Sequence, residues 1–145
     1  GHSVYGTLHA NNARETISRI TNPPIGLPKQ LISAVSLIVV QHINRRTGKR
    51  RTLQIAEVLP NGDPRTLMQL NPIKDTLEIV NEPLAIIETL SLYVGLSRPD
   101  IYADLQSKIN ILGWMVRKNI NDVNKIGLIM SNYYHNKPFM QLKGV

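Results

Sequence analysis

The chain contains no cysteine among its 145 residues. Disulfides and thiolate metal centres are therefore excluded, and a reducing compartment fits without being required. Long apolar runs are missing as well: none is longer than Leu37 to Val40, the size of a strand, far short of the roughly 20 residues that cross a bilayer. No basic segment followed by an apolar one opens the sequence, so no signal peptide is expected. Internal repeats and low-complexity stretches are lacking too. Acidic residues are scattered, without paired carboxylates at glycosidase or metal spacing, and no Ser/His/Asp grouping has local support. Hydrolase chemistry of those kinds is left without a motif.

What is present suits one globular domain, with 42% hydrophobic and 19% charged residues and enough length to bury a core. The formal net charge of +7 favours anionic partners, whether nucleotide, nucleic acid or an anionic membrane face. Charge alone does not choose among them.

The first twenty residues organise the rest. Ser3 to Leu8 reads as a short strand feeding directly into a helix, with Asn12 as N-cap and Glu15 in capping-box position. Ala13, Ile17 and Ile20 fall on one helical face. His9 and Asn11 then lie between a strand end and a helix N-terminus, where open α/β sheets hold ligands and anions are favoured. The competing reading of His9 is a buried histidine satisfied by backbone. A zinc site from His2 and His9 is not expected, because no further ligand accompanies them.

Beyond a proline-rich loop at 21–28, a short helix is expected over Lys29 to Val35 and a strand buried on both faces over Leu37 to Val40. A basic turn around Thr47-Gly48 and a return strand, Thr52 to Val58, complete a β-hairpin. Pro60 to Pro64 is the clearest punctuation in the sequence. Two short strands, Thr66 to Leu70 and Thr76 to Val80, predict a second, smaller hairpin. From residue 81 the period turns helical. Asn81 is expected to cap Glu82 to Tyr93, with Gly95 as terminator. Ser97 to Asp100 caps a helix running to about Lys118, with Ile101, Leu105, Ile109, Leu112 and Val116 inside. Asp122 opens a last helix, and the tail after Pro138 is expected to be loose. Trp114, Tyr133, Tyr134, Met115 and Met130 read as core. The expected domains are an α/β portion, 1–80, and a helical subdomain, 81–145.

Thr7-Leu8-His9-Ala10 preceded by Gly1-His2, with a helix ending Ile17-Ser18-Arg19-Ile20, resembles the histidine box of the secretion-type ATPases. These are the RecA-like hexameric motors of type II and type IV secretion, type IV pili and the archaellum. The likeness continues through Gln41-His42, Gly48-Lys49-Arg50-Arg51 and Ile55-Ala56-Glu57-Val58, a strand–turn–strand ending in a Glu. Ile111 to Val116 and Tyr133-Tyr134 are closest to the archaeal branch. The resemblance is strong over 1–58 and loose beyond.

The resemblance implies the C-terminal part of a RecA-like (P-loop NTPase) domain with β-hairpins, followed by a helical subdomain. It implies a parent that hydrolyses ATP with Mg²⁺ to drive secretion or filament assembly, in which His9 contacts the γ-phosphate end and Thr7 supports it. His2 would be a second polar contact, and Arg51 and Arg50 would serve the nucleotide or a subunit interface. Arg19 would pin its helix through an ion pair. The implied partners are the rest of the ATPase, neighbouring subunits of a hexamer and an inner-membrane platform protein. The implied location is cytoplasmic and peripheral to the membrane. Neither a Gly-Lys-Ser/Thr phosphate loop nor a strand-end acid for Mg²⁺ occurs here, although both precede the histidine box in the family. The chain is therefore expected to be inactive alone, and its sheet to leave an apolar edge or face uncovered.

Two rivals remain. Arg45, Arg46, Lys49, Arg50 and Arg51 place five cations in seven residues on a hairpin tip. A stand-alone nucleic-acid module could use the hairpin 44–52, and a solvated turn is the bland alternative. The hairpin carries no Phe, Tyr or Trp, which argues against single-strand recognition, so no nucleic acid is expected. An assembly adaptor using only the helices of 82–135 would need no ligand.

Overall fold

The computed structural model describes residues 4–136. The elements are α1 (Ala13–Thr21), α2 (Lys29–Ile32), β1 (Leu37–Ile43), β2 (Arg50–Val58), β3 (Pro64–Asn71), β4 (Thr76–Ile79), α3 (Ala85–Val94), α4 (Arg98–Arg117) and α5 (Val123–Asn136). The four strands form one antiparallel meander in the order β1-β2-β3-β4. The two expected hairpins are thus joined edge to edge, through pairing of β2 with β3 from Gln54↔Gln69 to Val58↔Pro64. The result is a mixed α/β unit, a four-stranded antiparallel sheet followed by helices.

The expected first strand does not form. Residues 4–10 have no regular structure, and Val4 and Tyr5 are almost fully exposed. A strand needs a neighbour for its backbone hydrogen bonds, and the described sheet provides none for this segment. The helix after it forms as expected. Asn12 Oδ1 accepts from the Glu15 amide at 2.8 Å, while Glu15 Oε2 reaches back to the Asn11 amide at 2.9 Å. The Asn11 amide lowers the Glu15 pKa most, with Arg19 adding to the effect.

α1 lays Ala13 and Ile17 on the sheet beside Ile32, Ile38, Val40, Ala56 and Val58, with Ile20, Val35 and Leu53 at the margin. Alternation along β1 corrects the expectation of a strand covered on both faces. Ile38 and Val40 are buried, whereas Leu37 and Val39 are 41% and 50% exposed. One face packs on α1 and α2; the other leaves β1 uncovered at Leu37 and Val39, while Glu57, paired opposite Leu37, is buried under the start of α3. The β2–β3 turn depends on Gly62 at φ 80°. A Cβ there would stand 2.9 Å from the Lys29 carbonyl oxygen, so glycine fits for both conformational and steric reasons.

α3 starts later than the expected Glu82, and Asn81 does not cap it. Asn81 Nδ2 donates instead to the Thr66 carbonyl. The free amides at the start of α3 are satisfied by Glu57 from β2, described below. Gly95 ends the helix at φ 66°, in the left-handed conformation expected of a terminator.

The chain divides into two compact units between Leu96 and Ser97. The change to helical period at 81 and the division into units are therefore different places in the sequence. In the second unit Ser97 caps α4 by accepting from the Asp100 amide, and the Asp122 side chain accepts from Lys125 at the start of α5. The stripe expected inside α4 is mostly outside. Ile101 is buried, but Leu105, Ile109, Leu112 and Val116 are exposed. Met115 is buried as expected, whereas Trp114 and Tyr134 are exposed rather than core. Tyr133 and Met130 are half-buried. Helical period marks an apolar face; it does not say that a neighbour covers it. Among the described residues, no helix is long and apolar enough to cross a membrane.

Candidate functional site

The start of α1 is bolted to the sheet by one side chain. Gln54 Oε1, on β2, accepts from the Ala13 amide at 2.8 Å, and Gln54 Nε2 donates to Thr66 Oγ1 on β3 at 2.9 Å. This bond satisfies one of the amides that a helix start leaves unpaired, and it fixes where the preceding segment enters. Thr7 and His9 lie on that segment, both exposed. His9 is therefore not the buried histidine of the competing reading. His2 lies outside the described residues. A shallow groove of about 290 Å³ runs along the start of α1, lined by Asn12, Arg14, Gln54 and Thr66 among others. A larger open one of about 630 Å³ lies farther along α1, beside Lys29 and Asp63. Neither is lined by Thr7 or His9. Arg19 makes the expected helix-pinning pair, with Nη2 at 2.7 Å from Glu15 Oε1.

The basic hairpin is held from an unexpected direction. Arg51 makes a two-pronged pair with Asp75, Nε to Oδ1 and Nη2 to Oδ2, each 2.7 Å. Lys49 stands 3.9 Å from the same carboxylate. Asp75 belongs to the β3–β4 turn, at φ 53°, so the pair ties two turns at one end of the sheet. The Arg51 hydrogen bonds hold the Asp75 carboxyl below its ordinary pKa and raise that of Arg51. Arg50 is exposed, paired across to Ile43 in the β1–β2 register. Arg51 and Gln54 are three residues apart on β2, about 10 Å at the rise of a strand. The anchor of α1 and the base of the basic hairpin thus share one strand, but no contact joins His9 or Thr7 to Arg50 or Arg51 among the described residues.

Glu57 sits on the same strand and is fully buried at 0% exposure, the one buried charged side chain among the described residues. Its carboxylate accepts from the Leu84 amide at 3.1 Å to both oxygens and from the Ile86 amide at 3.2 Å. Arg65 Nη1 donates to Glu57 Oε1 at 3.1 Å and to the Glu82 carbonyl at 2.8 Å. A negative charge at a helix start matches both the unpaired amides and the helix dipole. Glu57 is therefore the cap of α3, supplied from another element. Sequence reading placed Glu57 at the end of a strand–turn–strand but gave it no partner. Asp75 and Gln54 it passed over, because a turn aspartate and a strand glutamine carry no local signal.

Among the described residues, no group of three or more His, Asp or Glu side chains could hold a metal ion. Thr7 and His9 are accessible hydrogen-bonding groups on the segment ahead of α1.

Residues 1–88 match the family model described as "Type II/IV secretion system protein". An uncharacterized protein of Methanocaldococcus jannaschii is 31% identical over 136 residues, covering 88% of this chain and 19% of the relative. The chain thus spans about a fifth of the length of the curated relative it matches. Matched over more than half its length, in the part that carries α1, the sheet and the Glu57 cap, the chain belongs to the type II/IV secretion system protein family.

Proposed function

We propose that this chain is the C-terminal part of an oligomeric, ATP-hydrolysing motor that drives protein secretion or the assembly of a pilus or archaellum. In this reading the sheet and α1 complete a RecA-like nucleotide-binding domain, with the α/β portion at 1–80 and a helical subdomain at 81–145. His9 stands at the γ-phosphate end of ATP and Thr7 supports it, with His2 as a further polar contact. The phosphate loop and the Mg²⁺ ligands come from another part of the parent. A neutral imidazole has one donor and one acceptor, so His9 can donate to a phosphoryl oxygen on which charge develops. Arg50 is the freer of the two hairpin arginines for a nucleotide or a neighbouring subunit, since Arg51 is already committed to Asp75. The proposed partners are the rest of the ATPase, the other subunits of a hexamer and an inner-membrane platform protein. The proposed place of work is the cytoplasmic face of the membrane.

The observation that carries this reading is the exposure of His9 and Thr7 immediately before a helix anchored to the sheet by Gln54, inside the family-matched region. The test is ATP hydrolysis by the full-length parent. His9→Ala should lower kcat about 10²-fold or more, the scale of losing one hydrogen-bond donor to a developing charge, while nucleotide affinity changes only a few-fold. A kcat within twofold of the parent would refute it.

A further inference from the structure

The end of the sheet that carries the β1–β2 and β3–β4 turns combines two features of which the nucleotide reading uses only Arg50. The first is charge. Residues 44–51 and 72–78 hold six cations against two carboxylates, a net charge of +4. Asp75 is occupied by Arg51, and Glu78 pairs with Lys74 at 3.0 Å. Arg45, Arg46 and Arg50 are exposed, with no acidic partner among the described residues. The second is apolar. Ile73, at the tip of the β3–β4 turn, is 94% exposed, more than any other isoleucine, leucine or valine described, and Ile43 beside the basic turn is 44% exposed. The Arg51–Asp75 pair links the two turns, so the isoleucine tip and the arginine tip project from the same end of the sheet.

We propose that this projection docks on an anionic lipid bilayer, with Ile73 entering the head-group region and Arg45 and Arg46 meeting lipid phosphates. Neither groove along α1 is lined by these two turns, and exposed side chains on turns suit a deformable surface. Nucleic acid would satisfy the cations and leave Ile73 idle in water. No Phe, Tyr or Trp occurs in 42–51 or 72–78 to stack on a base. A bilayer uses both features, since apolar burial and attraction to anionic lipid add in interfacial binding.

The test is co-sedimentation of the chain with vesicles of phosphatidylcholine alone and with added phosphatidylglycerol, at low and high salt. Binding should require phosphatidylglycerol and weaken with salt. Arg45→Ala with Arg46→Ala should weaken it about 25-fold, at about fivefold per cation near an anionic surface. Ile73→Asp should weaken it about tenfold or more, while Ile73→Leu restores parent binding. These side chains are exposed, so each variant should unfold at the parent temperature. The proposal is overturned by no binding to the anionic vesicles, by parent-like binding of either disruptive variant, or by binding to polyuridylate with none to vesicles. None of these outcomes bears on kcat, so the nucleotide reading stands or falls separately.

Discussion

Removing the Glu57 carboxylate should loosen α3 from the sheet. In Glu57→Ala the Leu84 and Ile86 amides and one prong of Arg65 lose their acceptor in a site closed to water. Breaking a buried pair by deleting one partner costs about 3–5 kcal/mol. Arg65 keeps 26% side-chain exposure and can turn partly to solvent, which points to the lower end, about 3 kcal/mol. For a unit of this size that corresponds to a fall in Tm of roughly 12–24 °C. Glu57→Gln keeps the shape and one oxygen but loses the charge-assisted bonds, and should cost about 1.5–3 kcal/mol. Urea denaturation measures the global loss, and hydrogen exchange localises it, with protection at Leu84 and Ile86 falling first. Pairing each change with Arg65→Ala in a double-mutant cycle should give a coupling of about 1 kcal/mol or more. If Glu57→Gln unfolds within about 0.5 kcal/mol of the parent and those two amides exchange unchanged, the capping argument is wrong.

Three other perturbations are as direct. The Asp75 carboxyl should titrate below an ordinary aspartate, because Arg51 hydrogen-bonds its charged form. Its contribution is then fully present above the unfolded-state pKa and lost as pH falls through the lowered value; carboxyl NMR showing an ordinary or raised pKa would contradict this. Gly62→Ala should cost about 1–3 kcal/mol in urea denaturation, since the new Cβ meets the Lys29 carbonyl at a positive φ. In α4, Ile101→Ala should destabilise by about 2–5 kcal/mol, whereas Ile109→Lys should stay within about 0.5 kcal/mol, because only the first is buried. Equal thermal shifts for the two would show that Ile109 is covered.

Much of the chain was legible because its signals are local. The Asn12 and Ser97 caps and the Gly95 terminator each act within a few residues, and each has its expected role. The Arg19–Glu15 pair is equally local, at i,i+4. The candidate site was legible only in part. His9 and Thr7 stand exposed ahead of a capped helix, but the strand expected over Ser3–Leu8, with Thr7 in it, does not form at the described residues 4–8. Its existence depends on a neighbouring strand, which no local pattern can supply.

Sequence alone determined the order and type of the elements over 12–136, though not the start of α3, because backbone preference and hydrogen bonding to near neighbours decide these. Tertiary structure decided what closes those elements. Glu57 caps a helix that begins 28 residues later, Asp75 holds a hairpin base 24 residues earlier, and Gln54 anchors a helix start 41 residues earlier. It also decided that Ile101 is covered while Ile109 is not. Such partners are chosen by which backbone groups would otherwise be left without a hydrogen bond once the chain has packed. That condition exists only in three dimensions.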